Sequence, residues 1–576
     1  MVRSLSVLVL LVLSVLGWAT FEAFRAKADL LEAQAALQEI KIALDQDDAV
    51  AVDRAIDHLA DVAGSAADRT GGLLWSGITH LPLVGDDARG VRSASESLSV
   101  IADDGLSPLA RSYDEFDHLT VDRRVDVDLV RELTPRLEAS RDAFGRAVAI
   151  VDGLDSRGYA PSLRTIFDEY VSTIGTTHRT LEQAAAASSA LPAVVGADGP
   201  RDYLFVFENN AEIRATGGLP GSWALIHAED GLLTMTEQGS GSSFGERERP
   251  VLPLSPQERT LFGEQLGTYF LDANFTPDYP RAAALMAARW SEVQGGPTLD
   301  AVVSVDTVTL SYLLQGIGDI EVRDTEITAT QVVTALLSSV YAIYAPEDQD
   351  EVYEDVAAEV LDAAKRDLVS PYNFMRAIYT SAQEGRLHIA PMRSELPAAL
   401  LRGPVGGGLA QSTGRPRVDV TLNDATGSKM SFYLRHRVDV DAVGCADGAQ
   451  QLTGTLDLTQ EIPADQAADL PDYVTGAGRY GTTVGEQLLL IRLFAPAGGA
   501  FGQIVIDDEQ IPRRYLQIVD IDGRPAVTVV VQLDGSTPSR LTWEMQAGAG
   551  DQGDVDVRVT PGLEPGTFNT VVPSAC

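Results

Sequence analysis

Tyr203-Leu204-Phe205-Val206-Phe207-Glu208-Asn209-Asn210-Ala211-Glu212-Ile213-Arg214-Ala215-Thr216-Gly217-Gly218 runs from five consecutive apolar residues into the densest polar cluster of the chain. The apolar run has the length of a buried strand, and the polar residues follow where an α/β sheet presents its functional loops. Asn209, Asn210, Glu212, Arg214 and Thr216 are suited to a polar or phosphorylated ligand, with Gly217-Gly218 letting a backbone come close. A structural turn, in which Glu212 and Arg214 pair and the asparagines cap the chain, accounts for the same residues.

Working outward, Ser222–Ala228 and Leu232–Glu237 flank Glu229-Asp230-Gly231 and read as a hairpin. A helix over Tyr279–Val293, a strand at Ala301–Val305 and a helix from Thr307 to Gln315 closing at Gly316 follow, then helices over Thr328–Tyr344 and Gln349–Leu368. Strands alternating with helices predict an α/β layered core over 196–410. Upstream, Leu30, Ala33, Leu37, Ile40 and Leu44 form one apolar stripe. That style recurs around Leu129–Val151 and Ser162–Ser189, with a break at Leu81-Pro82-Leu83-Val84-Gly85. Residues 23–195 therefore read as a helical bundle or stalk. Beyond 411 the helical period disappears. Val418–Leu422, Ser431–Val440, Leu452–Glu461, Gln487–Phe494, Arg514–Val519, Ala526–Leu533, Arg540–Gln546 and Asp554–Val559 predict a C-terminal antiparallel β-sandwich over 411–576. The fold class is multidomain α+β.

Ser4–Phe21 carries no charge and its eighteen residues suffice to span a bilayer as a helix. Arg3 on the short side and Glu22 on the other predict a cytoplasmic N-terminus, a single-pass anchor within residues 1–22 and an extracytoplasmic body. Gly17-Trp18-Ala19 loosely fits a signal-peptidase site, but Trp18 at the interface and the helical pattern continuing through Phe24-Arg25-Ala26 favour retention. In an oxidising compartment Cys445 and Cys576 most simply form a disulfide, since no Cys/His cluster is present to hold zinc.

A net charge of -39 opposes contact with nucleic acid or anionic lipid and reads first as a solvated, mutually repelling surface. Only four of the 44 basic residues are lysine, a compositional bias that warns against reading every arginine as a ligand.

A second cluster, Asp272-Ala-Asn-Phe-Thr-Pro-Asp-Tyr-Pro-Arg281, offers Asp272 and Asn274 as hard oxygen ligands for Mg²⁺ or Ca²⁺. Asp278 and Asp306 read better as helix N-caps. Gly241-Ser242-Ser243-Phe244-Gly245 matches G-x-S-x-G literally, but a nucleophile elbow needs a helix next, and Glu246-Arg247-Glu248-Arg249-Pro250 comes instead. The seven histidines are scattered and no phosphate-binding or dinucleotide fingerprint is present.

Asn210-Ala-Glu-Ile-Arg-Ala-Thr-Gly-Gly218, Asp272-Ala-Asn-Phe-Thr-Pro-Asp278, Val303-Ser-Val-Asp306 and Asn423-Asp-Ala-Thr-Gly-Ser-Lys-Met430 carry a resemblance to a known family. This is the domain of unknown function numbered 4012, found in envelope proteins of Gram-positive bacteria. At fold level the anchor and exported core are also similar to LytR-CpsA-Psr proteins, which transfer glycopolymers from a polyprenyl-pyrophosphate carrier to the wall. That likeness implies Arg214 and Arg281 on a pyrophosphate and Mg²⁺ on Asp272 and Asn274, although the usual arginine-rich signature is missing. Two expectations result. One is a membrane-anchored scaffold or binding module at the cell wall. The alternative is a Mg²⁺-dependent phosphotransferase acting on lipid-linked glycopolymer precursors, with Arg214, Asp272 and Arg281 in one pocket.

Overall fold

The computed structural model describes residues 48–576 except 83, 111–114, 116–117, 367, 394–395, 397–403, 411–413 and 567, together with scattered positions between 32 and 46. The expected anchor, and Leu30, Ala33 and Leu44 of the first apolar stripe, lie outside the described residues. Among the described residues no helix is long and apolar enough to cross a membrane. The chain forms two compact units, Met1–Pro192 and Ala193–Cys576.

The first unit is helical, as its periodicity predicts. Helices α1 (Ala49–Gly71), α2 (Gly85–Val100), α3 (Val127–Val151) and α4 (Pro161–Val194) dominate it. Asp48 and Asp126 cap α1 and α3 by accepting from backbone N–H groups of the first turn. Leu59 and Ala63 of α1 pack with Leu98. Phe144 and Ala147 of α3 pack with Phe167 and Ile174.

The second unit contains both the predicted core and the predicted sandwich. In the core sheet, β1 (Arg201–Asn209), β2 (Leu219–Glu229), β3 (Leu232–Ser240), β4 (Ala301–Asp306) and β5 (Leu387–Pro391) lie in the order β3-β2-β1-β4-β5. Only β1 and β4 are parallel. The β2–β3 turn places Asp230 and Gly231 at φ 48° and 79°, the double positive φ of a type I′ hairpin, as the sequence predicts. Alternation along β1 sends Leu204 and Val206 to the side of α5 (Tyr279–Gln294), where Trp290 meets Trp223 edge-on. It sends Tyr203, Phe205 and Phe207 to the opposite face.

The helix α6 (Thr307–Ile317) is capped by Asp306, whose side chain accepts from Thr309 N at 2.7 Å. It does not stop at Gly316 as expected, but at Gly318, φ 89°. Gly316 serves packing instead, because a Cβ there would lie 2.4 Å from the backbone nitrogen of Phe374. Residues 332–343, expected as part of one α-helix, include a π turn at Ala335–Ser339. The next helix, α7, covers Pro346–Ala364.

The sandwich strands are β6 (Arg417–Asp424), β7 (Leu434–Ala446), β8 (Ala449–Gln460), β9 (Gln487–Phe494), β10 (Ala500–Ile506), β11 (Glu509–Gln510), β12 (Ile518–Ile521), β13 (Arg524–Leu533), β14 (Ser539–Gln546), β15 (Val555–Val559) and β16 (Asn569–Val572). One sheet runs β12-β13-β9-β6-β15-β16 and the other β7-β8-β14-β10-β11. The antiparallel expectation needs one correction: β6 and β15 pair in parallel, from Arg417↔Asp556 to Val420↔Val559. Chain crossing over from β14 in the facing sheet reaches the free edge of β6 running in its direction. Leu422, Leu456, Ile491, Val529 and Leu541 fill the space between the sheets. The predicted Cys445–Cys576 disulfide is present and ties the last residue to the end of β7.

Candidate functional site

The segment after β1 folds against the sandwich. Asp424 N donates to Ile213 O at 2.9 Å and Ser431 N to Ala211 O at 3.0 Å. Ala215 N donates to Asn423 Oδ1 at 3.1 Å, and Thr560 Oγ1 to Ala215 O at 3.1 Å. Gly218 is required here, since a Cβ would come within 2.4 Å of the carbonyl carbon of Asn209.

Three polar networks occupy this junction. In the first, Glu212 lies between two cations, 2.6 Å from Arg214 Nη2 and 2.5 Å from Lys429 Nζ. Asp272 stands farther from Arg214, at 3.4 Å, and Arg214 also donates to Asp424 O and covers the Phe275 ring. Burial pushes the Glu212 carboxyl up, yet Lys429 and Arg214 outweigh it and hold the pKa below its ordinary value. Asp272 lacks that surplus of positive charge, and burial raises it to about 6. The Asp424 carboxylate accepts from the backbone N–H groups of Thr426, Gly427 and Ser428.

The second network surrounds Glu208, which is 2 % exposed. Thr216 Oγ1 donates to it at 2.8 Å and Gly218 N at 3.2 Å. Burial nevertheless raises Glu208 to about 8, with the nearby Asp306 charge adding to the effect. Asn274 is wholly buried, and its Nδ2 donates to Thr216 Oγ1 and to Gly218 O. In the third network Asn210 Nδ2 donates to Asp306 Oδ2 at 2.9 Å while Arg386 bridges Asp306 and Glu384.

The candidate residues are thus divided. Glu212, Arg214 and Asp272 come together, and Thr216 joins Asn274. Asn209 donates to the Tyr341 hydroxyl, whereas Arg281 forms a separate pair with Glu258, 2.6 Å away. The phosphotransferase expectation put Arg214, Asp272 and Arg281 in one pocket, and this arrangement does not do so. Nor do Asp272 and Asn274 suit a shared Mg²⁺, because Asp272 faces a guanidinium and Asn274 presents its amide nitrogen to the Glu208 network. Among the described residues no group of three or more His, Cys, Asp or Glu has the arrangement of a metal site. Ser243, in the G-x-S-x-G match, lies in a 3₁₀ turn and donates to Ser240 O.

Beside these networks lies a cavity of about 270 Å³ at the carboxyl ends of β1 and β4, whose wall includes Asn209, Ser222, Tyr341, Gln349, Lys429 and Tyr473. The tyrosines, Lys429 and Glu208 were absent from the candidate set. The signal for Lys429 was its place in Asn423–Met430 in a chain with four lysines. Nothing in the local pattern marks the tyrosines, which come from helices far apart in sequence.

Comparison with curated proteins and with solved structures gives no match for this chain. The LytR-CpsA-Psr likeness therefore has no counterpart in these comparisons. Residues 198–341, which span the clusters at 210–218, 272–278 and 303–306, match the family described as "Protein of unknown function (DUF4012)".

Proposed function

We propose that this protein is a membrane-anchored, extracytoplasmic scaffold or binding module of the cell envelope, in which the α/β core and the sandwich act as one rigid body presented at the wall. The observation that carries this reading is Glu212 held between Arg214 and Lys429: the most ligand-like charges of the sequence are committed to joining the two sheet systems. The uncharged Ser4–Phe21 segment supports the anchor, and the Cys445–Cys576 bridge is the chemistry of an oxidising compartment.

Protease treatment of intact cells, followed by alkaline extraction of their membranes, tests it. The reading expects the body to be cleaved from outside and the undigested chain to resist extraction. A body protected until the cells are lysed would overturn it.

A further inference from the structure

The cavity beside Lys429 takes no part in the joining network beyond sharing that one residue, and its chemistry is distinctive. It opens at the carboxyl ends of the two parallel strands β1 and β4, the position at which open α/β sheets place their ligands. Gln349 lines it with 3 % exposure. Its Nε2 donates to Tyr344 O, while its Oε1 is buried with no hydrogen-bond partner among the described residues. A buried acceptor left unpaired is destabilising, and a donating ligand hydroxyl would satisfy it. The opposite wall is pre-formed: Asn209 Nδ2 reaches the Tyr341 hydroxyl at 2.6 Å, and the Tyr353 hydroxyl lies 3.0 Å from that of Tyr341. Tyr473 stands at the rim, 45 % exposed, with its ring tilted 56° to that of Tyr341 at 5.8 Å.

Charge narrows the ligand class. An anion finds no available cation here, because Lys429 is matched by Glu212 at 2.5 Å and the other ionisable groups of the wall, Glu208 and Asp350, are acids. A cation is disfavoured because the Lys429 ammonium already stands 5.5 Å over the Tyr473 ring. An apolar ligand would strand the serine hydroxyls and the Asn209, Gln349 and Lys429 heads. A volume of about 270 Å³ lies at the small end of the range for ligand sites.

We infer that this cavity is a binding site for a single neutral saccharide ring, laid against Tyr473 and Tyr341 and donating a hydroxyl to Gln349 Oε1. The inference concerns the ligand of this body and stands independently of which side of a membrane the body occupies.

The test uses the full chain in a detergent without a sugar headgroup, probed by saturation-transfer NMR. Glucose, galactose, mannose, arabinose and N-acetylglucosamine are the probes, with inorganic phosphate as the anionic competitor. Ser242 and Tyr473 line the rim and are exposed, so Ser242→Trp obstructs the mouth without touching the joining network, and Tyr473→Ala removes a wall together with the ring that faces the Lys429 ammonium. At least one sugar is expected to bind with a millimolar Kd that rises at least tenfold in both variants, the melting temperature of Ser242→Trp staying at the wild-type value and phosphate failing to compete. Absence of binding by all five sugars, binding indifferent to both variants, or displacement by phosphate would each overturn the proposal.

Discussion

Lys429 Nζ lies 2.5 Å from Glu212 Oε2, a contact that joins the loop after β6 of the sandwich to the loop after β1 of the core across 217 positions of sequence. Both side chains are buried, and Glu212 meets Arg214 with its other oxygen. Removing one member of such a group exposes the rest to the cost of an uncompensated buried charge, which exceeds what the intact group contributes over an apolar substitute.

Arg214 and Arg492 separate these two effects. Arg492 is buried on β9, donates through Nε to Leu261 O, and forms no ion pair among the described residues. Burial, with the Arg214 charge adding, lowers its pKa to about 9. Arg214→Met, which takes one of the two cations from Glu212 and leaves Asp272 facing no guanidinium, is expected to cost about 3–5 kcal/mol in urea unfolding. Arg492→Met removes a charge with no acid to strand and is expected to cost less than about 1.5 kcal/mol or to stabilise. Equal losses from the two would contradict the assignment of charges.

Glu208 predicts a pH dependence. Its pKa is raised on folding, so the folded state keeps a proton that the unfolded chain has released, and stability falls as pH rises from about 4.5 towards 8. His388 and His436, buried and lowered to about 3 and 4, act in the opposite direction but only below their unfolded value of 6.5. Between pH 6.5 and 8 the Glu208 contribution therefore stands clear, with a limiting slope of about 1.4 kcal/mol per pH unit. Unfolding free energies across that window should decline for the wild type and flatten in Glu208→Gln. Parallel profiles would contradict the protonated state.

Much of this architecture was legible because its elements carry local signals: the I′ turn at Asp230-Gly231, the cap at Asp306, the alternation along Tyr203–Phe207. Elements whose determinants are distant were not. Strand β10 escaped notice because Gly502 and Gln503 interrupt its apolar pattern where the pairing with β14 is irregular between Phe501 and Ile504. Strand β5 was hidden by His388, which is buried and stacked on Tyr279 instead of facing solvent. At the site, Arg281 looked like a ligand beside Asp272 in sequence, yet α5 carries it to Glu258, and only the folded chain brings Lys429 to Glu212. Local chemistry identified the residues that matter near Glu212 without identifying their partners.

The Cys445–Cys576 bridge closes a span of 131 residues, so Cys445→Ser with Cys576→Ser is expected to lower stability by about 5 kcal/mol through loop-closure entropy. The edge strand β16, four residues beyond which the chain ends, should become the first site of proteolytic nicking. Limited proteolysis with mass spectrometry checks this, and an unchanged cleavage pattern would show that β16 is held by its pairing with β15 alone.

The claim that the 208–218 loop joins core to sandwich is tested most directly by a double-mutant cycle on Glu212→Gln and Lys429→Met, read by urea unfolding. The account predicts that each single change costs about 3–5 kcal/mol, and that the double costs less than their sum by about 2 kcal/mol or more. Two small and additive losses, each under about 1 kcal/mol, would contradict it.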